Sequence, residues 1–275
     1  MGFELRIPGV RFGMDNDDLL VDGSLLLVEP GSSVNPWAGV PAHGAAIPNL
    51  AASRANALVG ADVSTLIFER TMVGDEGIVE RSGAGGLHVA EAYGKGVSNH
   101  RVILRTLNTL RDYLDAHQGD DLYLCTWGKN TRLADPSLGQ ILHASLAGAS
   151  GTRLGVGHLP ASGALSAAPS SSDARRLGFR IDQDQGAAYQ SVAARGVPAS
   201  GWALPHGVSV FTGGPTGAAQ VGKSPGYLLW WLYLENLTVS KRTFAQVDAI
   251  AHRYYSQQVL QSSGKYHADT YTQPV

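Results

Sequence analysis

One segment of the chain matches the consensus of a phosphate-binding loop. Gly217-Ala-Ala-Gln-Val-Gly-Lys-Ser224 has the spacing G-x-x-x-x-G-K-[ST], in which backbone N–H groups and the lysine hold nucleotide phosphates. That chemistry requires a helix to begin directly after the loop. Pro225 lacks an N–H group, Gly226 weakens a first helical turn, and the aromatic residues that follow favour a strand. The sequence therefore predicts a loop before a strand, and nucleotide binding is the least favoured function.

Residues that ligate metals are present but widely spaced. The nine histidines are His43, His88, His100, His117, His143, His158, His206, His252 and His267. No two of them have the His-x-x-x-His spacing that places two imidazoles on one helical face. Asp15, Asp17, Asp18 and Asp22 form an acidic cluster without the glycine and distal glutamate of an EF-hand loop. We predict a solvated acidic turn there, and no metal or other cofactor.

Nucleophilic and acid–base catalysis lack a sequence signature. The single cysteine, Cys125, excludes an intrachain disulfide, and its place in an apolar segment is typical of a small core side chain. No Gly-x-Ser-x-Gly motif occurs. Glu76 and Glu80 lie in a glycine-rich stretch without the alternation expected of paired catalytic carboxylates. We therefore predict no catalytic residues and a protein that is not an enzyme.

Two tryptophans could bind carbohydrate. Trp37 and Trp202 lie in segments that contain proline and glycine, where an exposed indole could stack on a sugar ring. Packing against a partner protein explains both residues equally well. A carbohydrate-binding or carbohydrate-cleaving β-sandwich is therefore the alternative function.

Composition narrows the classes of partner. Lys plus Arg number 21 and Asp plus Glu number 23, whereas a duplex nucleic-acid binder needs a concentrated positive field. Charged residues make up 16% of the 275 residues, against about 25% in an average soluble domain, which suits a surface covered by partner chains. The most apolar run, residues 227–234, is shorter than the roughly 20 residues of a membrane-spanning helix. The first ten residues also lack the apolar core of an export signal. Neither nucleic acid nor membrane is an expected partner.

The elements that position these residues are predicted to be mainly strands. The 34 glycines and 13 prolines favour many turns and few long helices. Strands are predicted at 63–69, 121–127, 177–182, 207–212 and 227–237, with a hairpin of 19–21 and 25–28 around Asp22-Gly23. Segment 136–150 fits either a weak helix or a strand and loop. Irregular structure is expected at 32–57, 74–86 and 151–172, with a polar tail, loose or partner-bound, over 262–275.

Two segments have helical periodicity. Apolar residues recur at helical spacing over 99–117, and Gly119 follows as a helix-ending glycine. In the second helix, 243–259, Thr243 and Gln246 form a capping box ahead of an apolar face. We expect both helices to lie at the periphery of a sheet structure.

Two segments resemble virion proteins of tailed bacteriophages. Leu122-Tyr-Leu-Cys-Thr-Trp-Gly-Lys-Asn-Thr-Arg132 is similar to a strand–turn segment of virion proteins with a concanavalin- or laminin-G-like β-sandwich. Trp231-Leu-Tyr-Leu-Glu-Asn-Leu-Thr-Val-Ser-Lys-Arg-Thr-Phe-Ala-Gln-Val-Asp248 resembles their closing part, where a long strand leads into an amphipathic helix. Together the segments cover about 29 residues. The resemblance implies a structural protein without shared catalytic residues.

These observations predict a mainly β, concanavalin-like jelly-roll antiparallel β-sandwich with two peripheral helices. We expect an irregular arm and first strands over 1–60, the sandwich over 61–261 and the tail over 262–275. The expected function is a non-enzymatic structural protein of a bacteriophage particle, in the tail, baseplate or fibre or associated with the capsid, which assembles through extended arms. Its expected partners are other copies of itself, other virion proteins or a host-surface glycan.

Overall fold

The computed structural model describes residues 18–148, 151–184, 186–196 and 209–273. Over these residues the protein is mainly β. Its strands are β1 (Ser24–Val28), β2 (Ala45–Pro48), β3 (Thr65–Arg70), β4 (Gly77–Arg81), β5 (Leu87–Glu91), β6 (Val102–Thr106), β7 (Asp121–Arg132), β8 (Ile141–Gly148), β9 (Gly151–Leu159), β10 (Ala164–Ala168), β11 (Arg176–Asp184), β12 (Ala187–Arg195), β13 (Ser209–Gly213) and β14 (Gly226–Asn236). Its helices are α1 (Ala52–Val59), α2 (Asn108–Ala116), α3 (Leu237–Ser240) and α4 (Phe244–Tyr255), the last extended by a π-helical turn (Ser256–Leu260). No helix of the described ranges is long and apolar enough to span a membrane.

The strands form three antiparallel sheets. The seven-stranded sheet has the order β11-β12-β7-β14-β5-β4, and β1 also pairs with β14. The other two have the orders β10-β9-β8 and β13-β6-β3-β2. Side chains from all three share one apolar cluster, which places the two smaller sheets against one face of the large one. The prediction of a mainly β, antiparallel fold is confirmed, and the arrangement is compatible with a β-sandwich.

The two faces of the seven-stranded sheet bury different side chains. Along β7, Leu122 and Leu124 point into the cluster shared by the three sheets, which we call the inner core. Tyr123, Cys125 and Trp127 point into a second cluster on the opposite face, the outer core. This alternation is the period of two that a strand imposes on its side chains. Strand β7 therefore confirms the prediction for 121–127 and continues beyond it.

Strand β14 is the central strand of the large sheet. Every residue of it is buried, which confirms the predicted strand at 227–237. A register shift between Leu229 and Trp231 interrupts its pairing with β7, and both Trp230 and Trp231 face the outer core. Trp231 stacks on Trp127 with ring centroids 4.4 Å apart. Aromatic side chains thus fill the outer face of the central strands.

Helix α4 covers part of that outer face. Thr243 is its N-cap, and the Thr243 N–H donates to Gln246 Oε1 at 2.8 Å, as the predicted capping box requires. The helix buries Val247, Ala251 and Tyr255 in the outer core. Gly178 of β11 permits close approach, because a Cβ there would lie 2.3 Å from the Phe244 ring. The predicted second helix is confirmed.

The first predicted helix is wrong in its N-terminal half. Residues 102–106 form β6, which pairs with β3 and β13, and the helix α2 begins only at Asn108. Val102, Ile103 and Leu104 are all buried in succession. This successive burial shows that both faces of β6 are covered, and such an apolar run does not distinguish a strand from a helix by spacing alone.

Several segments expected to be irregular contain regular structure. Segment 32–57 contains β2 and the start of α1, 74–86 contains β4, and 151–172 contains β9 and β10. The small residues of β9 permit close pairing, since a Cβ at Gly157 would lie 1.8 Å from the Ile141 carbonyl oxygen. Of the two alternatives for 136–150, a weak helix or a strand and loop, the structure shows the strand, β8. The predicted hairpin is wrong, because β1 pairs with the distant β14.

The C-terminal segment, residues 262–273, packs against its own chain. Asp269 Oδ2 accepts hydrogen bonds from Trp230 Nε1 at 2.7 Å and Ser82 Oγ at 2.5 Å. The buried Tyr266 donates its hydroxyl to Glu29 Oε1 at 2.9 Å. Of the two expectations for the tail, loose or partner-bound, the first is therefore wrong for these residues and the second stays a prediction. The division into arm, sandwich and tail also stays a prediction.

Candidate functional site

The 217–224 loop does not have the geometry of a phosphate-binding loop. Its only helical element is the 3-10 turn Ala218–Gln220, and the chain enters β14 at Gly226. The N–H groups of Gly222 and Ser224 donate to the two carboxylate oxygens of Glu91, at 2.7 and 3.2 Å. Lys223 Nζ donates to Ser137 Oγ at 3.0 Å. The donors that would bind a phosphate are thus occupied by a carboxylate of the same chain, and the predicted loop before a strand is confirmed.

A buried carboxylate and a half-buried guanidinium hold this loop in place. Glu91 comes from the end of β5, and the fit is close enough that a Cβ at Gly96 would collide with its carboxylate. Arg132 Nη2, at the end of β7, donates to the Ser224 carbonyl oxygen at 2.7 Å. Burial lowers the pKa of Arg132, and the negative charge of Glu91 opposes that effect. The pair fixes the loop that leads into the central strand β14.

A hydroxyl–carboxylate cluster lies beneath α4. Asp248 accepts hydrogen bonds from Tyr189 at 2.6 Å, Ser191 at 2.5 Å and Tyr123 at 3.3 Å. Burial raises the pKa of both tyrosines well above the ordinary value, so they remain hydrogen-bond donors. Cys125 lies in the same cluster, and burial likewise raises the pKa of its thiol. The cysteine is therefore a neutral core side chain, as predicted, and the cluster anchors α4 to the sheet.

A histidine and a second aspartate lie beside this cluster. His252 Nε2 of α4 is 2.8 Å from Asp182 Oδ2 of β11. Arg180 Nε donates to the same Asp182 oxygen at 2.6 Å. The residue types of a catalytic triad are thus close together, but Ser191 bonds to Asp248 whereas His252 bonds to Asp182. Since the serine and the histidine have different partners, the contacts join helix to strand and do not activate a nucleophile.

A pair of buried histidines lies on the inner face. His143 of β8 and His158 of β9 are joined by a hydrogen bond of 3.0 Å between Nε2 and Nδ1, and the His143 ring stacks on Tyr227 at 3.9 Å. Burial, and next the charge of His158, keep the pKa of His143 well below its usual range. Burial also lowers the pKa of His158. A cleft of about 270 Å³ opens beside His143, where the three sheets meet.

The two histidines were not recognisable as a pair from the sequence. They lie 15 residues apart and come together only because β8 and β9 are neighbours. The register of that pairing shifts between Leu142 and Ala144, at the position of His143 itself. Neutral imidazoles can exchange hydrogen bonds with each other, and among the described residues no three His, Cys, Asp or Glu side chains converge as a metal site.

The predicted acidic cluster lies partly outside the described residues, because Asp15 and Asp17 precede residue 18. Asp18 accepts hydrogen bonds from Arg253 and, at 2.7 Å, from the Tyr254 hydroxyl. Asp22 forms an exposed ion pair with Arg54 at 3.1 Å. Asp18 therefore bonds to side chains of α4 and Asp22 to a side chain of α1. The two carboxylates do not converge on a common metal-binding position.

The prediction that Trp37 could stack on a sugar ring is wrong. Trp37 is only 7% exposed and packs edge-on against Phe68, with ring centroids 6.2 Å apart. Its carbonyl oxygen accepts a hydrogen bond from Arg81. The indole face is therefore a core surface. Trp202 lies outside the described residues, so its role stays a prediction.

In comparisons with protein-family models, with curated proteins and with solved structures, nothing matches this chain. The class that the structure defines is a mainly β, antiparallel protein whose polar clusters join its own elements.

Proposed function

We propose that the protein is a non-enzymatic structural component of a tailed-bacteriophage particle, in the tail, baseplate or fibre, or associated with the capsid. Its partners there are other copies of itself and other virion proteins, and its fold is a concanavalin-like jelly roll. The observation that carries the proposal is the placement of the two segments that resemble virion proteins. One is β7, and the other runs through β14, α3 and α4, with β7 and β14 paired at the centre of the large sheet.

The strand-to-helix order of the second segment supports this interpretation. The resemblance implies a long strand that leads into an amphipathic helix, and β14 is followed by α3 and α4 in that order. Asn236, at the junction, caps α3 by accepting from the Val239 N–H at 3.2 Å. Arg242, between the two helices, binds the buried Glu235 at the end of β14. The Arg242–Glu235 ion pair thus fixes the segment of α3 and α4 to the central strand.

The contacts of three carboxylates within the chain support a structural role as well. Glu91 holds the 217–224 loop, and Asp248 holds α4. Asp269 holds the C-terminal segment through Trp230 and Ser82. Each carboxylate joins elements that are distant in the chain. A component of a particle must keep its shape while its neighbours bind, and these contacts provide that rigidity.

The surface composition fits a protein that is covered by neighbours. Charged residues are 16% of the chain, and large apolar side chains are exposed at several sites. These are Val34, Val73, Tyr93, Val97, Leu133, Leu159, Leu177 and Phe179. Repeated copies in a symmetric assembly would remove such side chains from water.

Particle composition tests the proposal. A tagged chain is expressed in the culture that produces the particles, and the particles are purified on a density gradient. We expect the tagged chain to sediment with the particles at a fixed copy number, and gold-labelled antibody to mark the same position on every particle. An unrelated tagged protein of similar mass, expressed in the same way, controls for trapping. A chain that remains in the soluble fraction while complete particles sediment would refute the proposed function.

A further inference from the structure

We propose that β11 is the docking site for a second copy of this chain, with the two β11 strands pairing antiparallel about Ile181. The two seven-stranded sheets would then continue into one another across a two-fold axis. This inference rests on the proposed function, because it names the partner of a structural component and the surface that binds it.

The first observation is the position of β11 in the sheet. It is the terminal strand of the seven-stranded order, and β12 pairs with one of its sides from Arg176 to Asp184. Within the described ranges no strand pairs with its other side. A terminal strand presents N–H and C=O groups to any strand that can align with it. At nine residues, β11 is also a long edge.

The second observation is an apolar strip along this edge. Phe179 is 46% exposed and Leu177 is 38% exposed. Phe179 lies opposite Val192 of β12, an inner-core residue, so its ring projects on the inner side of the sheet. Ile181 follows two residues later on the same side and is half-buried. In a pair centred on Ile181 the two Ile181 side chains face each other, and Phe179 of each copy lies diagonally from Ile181 of the other, within reach of an aromatic ring. The pair would thus remove these side chains from water.

The third observation is the charge pattern, which selects one register. A register shift between Arg176 and Gly178 leaves a regular stretch from Gly178 to Asp184, whose midpoint is Ile181. Pairing about Ile181 sets Arg180 of each copy opposite Asp182 of the other. Opposite charges on facing positions stabilise a strand pair.

The neighbouring registers are disfavoured on the same ground. A shift of the centre by one residue either way sets Arg180 opposite Arg180 or Asp182 opposite Asp182, and like charges on facing positions destabilise a pair. If the two-fold axis passed between two residues, each inner-side residue of one copy would face an outer-side residue of the other, which a continuous sheet does not allow. In the single chain Arg180 contacts Asp182 at 2.6 Å, so both charges lie on one side of the strand. Asp182 also contacts His252 at 2.8 Å, and the partner's Arg180 and Asp182 would extend this ion-pair network.

A single engineered cysteine tests this register. In Ile181→Cys the two new thiols would face each other across the two-fold axis, where facing Cα atoms lie about 4.5–5.5 Å apart. That spacing is within the range of a disulfide. The native Cys125 is fully buried, so the new thiol is the reactive one. We expect the full-length variant to form a disulfide-linked dimer under mild oxidation, seen on a non-reducing gel.

Gln183→Cys is the matched control. Gln183 is more exposed than Ile181, so random collisions would favour the control. In the proposed register its two copies are four residues apart along the strands, about 13 Å, which is beyond disulfide reach. Faster cross-linking of Gln183→Cys than of Ile181→Cys would overturn the register. Cross-linking of Ile181→Cys to a different particle protein would overturn the choice of partner.

A second variant measures association without a cross-link. Phe179→Lys removes the exposed ring and adds a positive charge, and we expect the dissociation constant of the dimer to rise at least about tenfold in sedimentation experiments. Val73→Lys, at a site that is 56% exposed, should leave it unchanged. Equal effects of the two substitutions would overturn the inference. A chain that enters particles without the Ile181 cross-link would refute this docking site alone, whereas a cross-linked dimer that never enters particles would refute the proposed function.

Discussion

The two faces of the seven-stranded sheet are sealed in different ways. On the inner face, aliphatic side chains such as Leu124 and Leu232 meet side chains from the other two sheets. On the outer face, Tyr189, Trp230 and Tyr233 meet α4, the C-terminal segment and the residues before β1. The hydroxyl or indole N–H of each of these aromatics bonds to those covering elements. The inner face therefore depends on packed volume, and the outer face depends on directed hydrogen bonds as well.

Because successive side chains of a strand point to opposite faces, one strand can contribute to both cores. Alternate residues of β7 and β14 supply volume to the inner core and polar-tipped rings to the outer core. Apolar packing in the inner core depends on side-chain volume and has little directional preference. A tyrosine–aspartate hydrogen bond is directional and therefore holds a helix in one position. The predictions below separate these contributions.

The largest expected loss is on the inner face. Phe68→Ala removes a fully buried ring that packs against Trp37. We expect the free energy of unfolding to fall by about 4 kcal/mol, since large-to-small changes in a core leave a cavity. Urea unfolding monitored by circular dichroism measures it. Leu133→Ala, at a 57% exposed site, should change the value by at most about 0.5 kcal/mol. Equal losses would contradict the assignment of Phe68 to the core.

The outer face should respond to the loss of one carboxylate. Asp248→Ala leaves the hydroxyls of Tyr123, Tyr189 and Ser191 without their common acceptor. We expect a loss of about 3 kcal/mol, because buried donors without partners are costly. Hydrogen exchange should show α4 opening more readily than β14. Asp112→Ala, on the exposed side of α2, is the control. An unchanged exchange rate in α4 would contradict the anchoring role of Asp248.

The histidine pair makes the inner face sensitive to acid. Burial lowers the pKa of His143 and His158 below the value of about 6.5 expected in the unfolded chain. As the pH falls below about 6.5, the unfolded chain therefore binds protons that the folded chain does not. The free energy of unfolding should decrease by about 1.4 kcal/mol per pH unit for each histidine, down to the folded pKa. Unfolding curves between neutral and mildly acidic pH measure this slope.

A variant assigns that slope to the pair. His143→Gln should flatten it, whereas the exposed His43→Gln should leave it unchanged. An identical slope in the wild-type protein and in His143→Gln would show that other groups control the acid response. His88 and His252 also have pKa values lowered by burial, so some dependence should remain in the variant.

The smallest expected effect is at the C-terminal segment. Asp269→Ala removes the acceptor shared by the Trp230 indole N–H, the Ser82 hydroxyl and the Ala84 N–H. We expect a loss of only about 1 kcal/mol, because Asp269 is half-buried and water can take its place as the acceptor. Tryptophan fluorescence should shift to longer wavelength as water reaches Trp230. Asp184→Ala removes a carboxylate from the same groove without that hydrogen bond and serves as the control. An unshifted emission spectrum would show that the segment does not depend on Asp269.

The sequence predicts the elements whose patterns are long and apolar. β14 has eleven buried residues, and α4 has a capping box and a continuous apolar face, so local information suffices for both. β9 and β10 were missed because glycine, alanine and serine give a weak strand signal, although those small residues are what allow close pairing. β6 was misassigned because a strand buried on both faces resembles a helical apolar run.

The sites were harder to predict because their members are distant in sequence. The context around Lys223 excluded a phosphate-binding loop, but nothing local identified Glu91 as the group that occupies the loop N–H donors. The Asp248 cluster likewise draws hydroxyls from β7 and β12 onto a helix that follows them by more than fifty residues. Such contacts depend on sheet order, which the sequence did not specify.

Removal of the chain from particle production is the most direct test of a structural role. If the proposed function holds, an early stop codon in its reading frame removes this chain alone from the phage and leaves the genes of the proposed partner proteins intact. We predict incomplete or unstable particles without infectivity, and recovery of particle integrity and infectivity when the chain is supplied in trans. Complete, infectious particles of normal composition made without the chain would contradict the account.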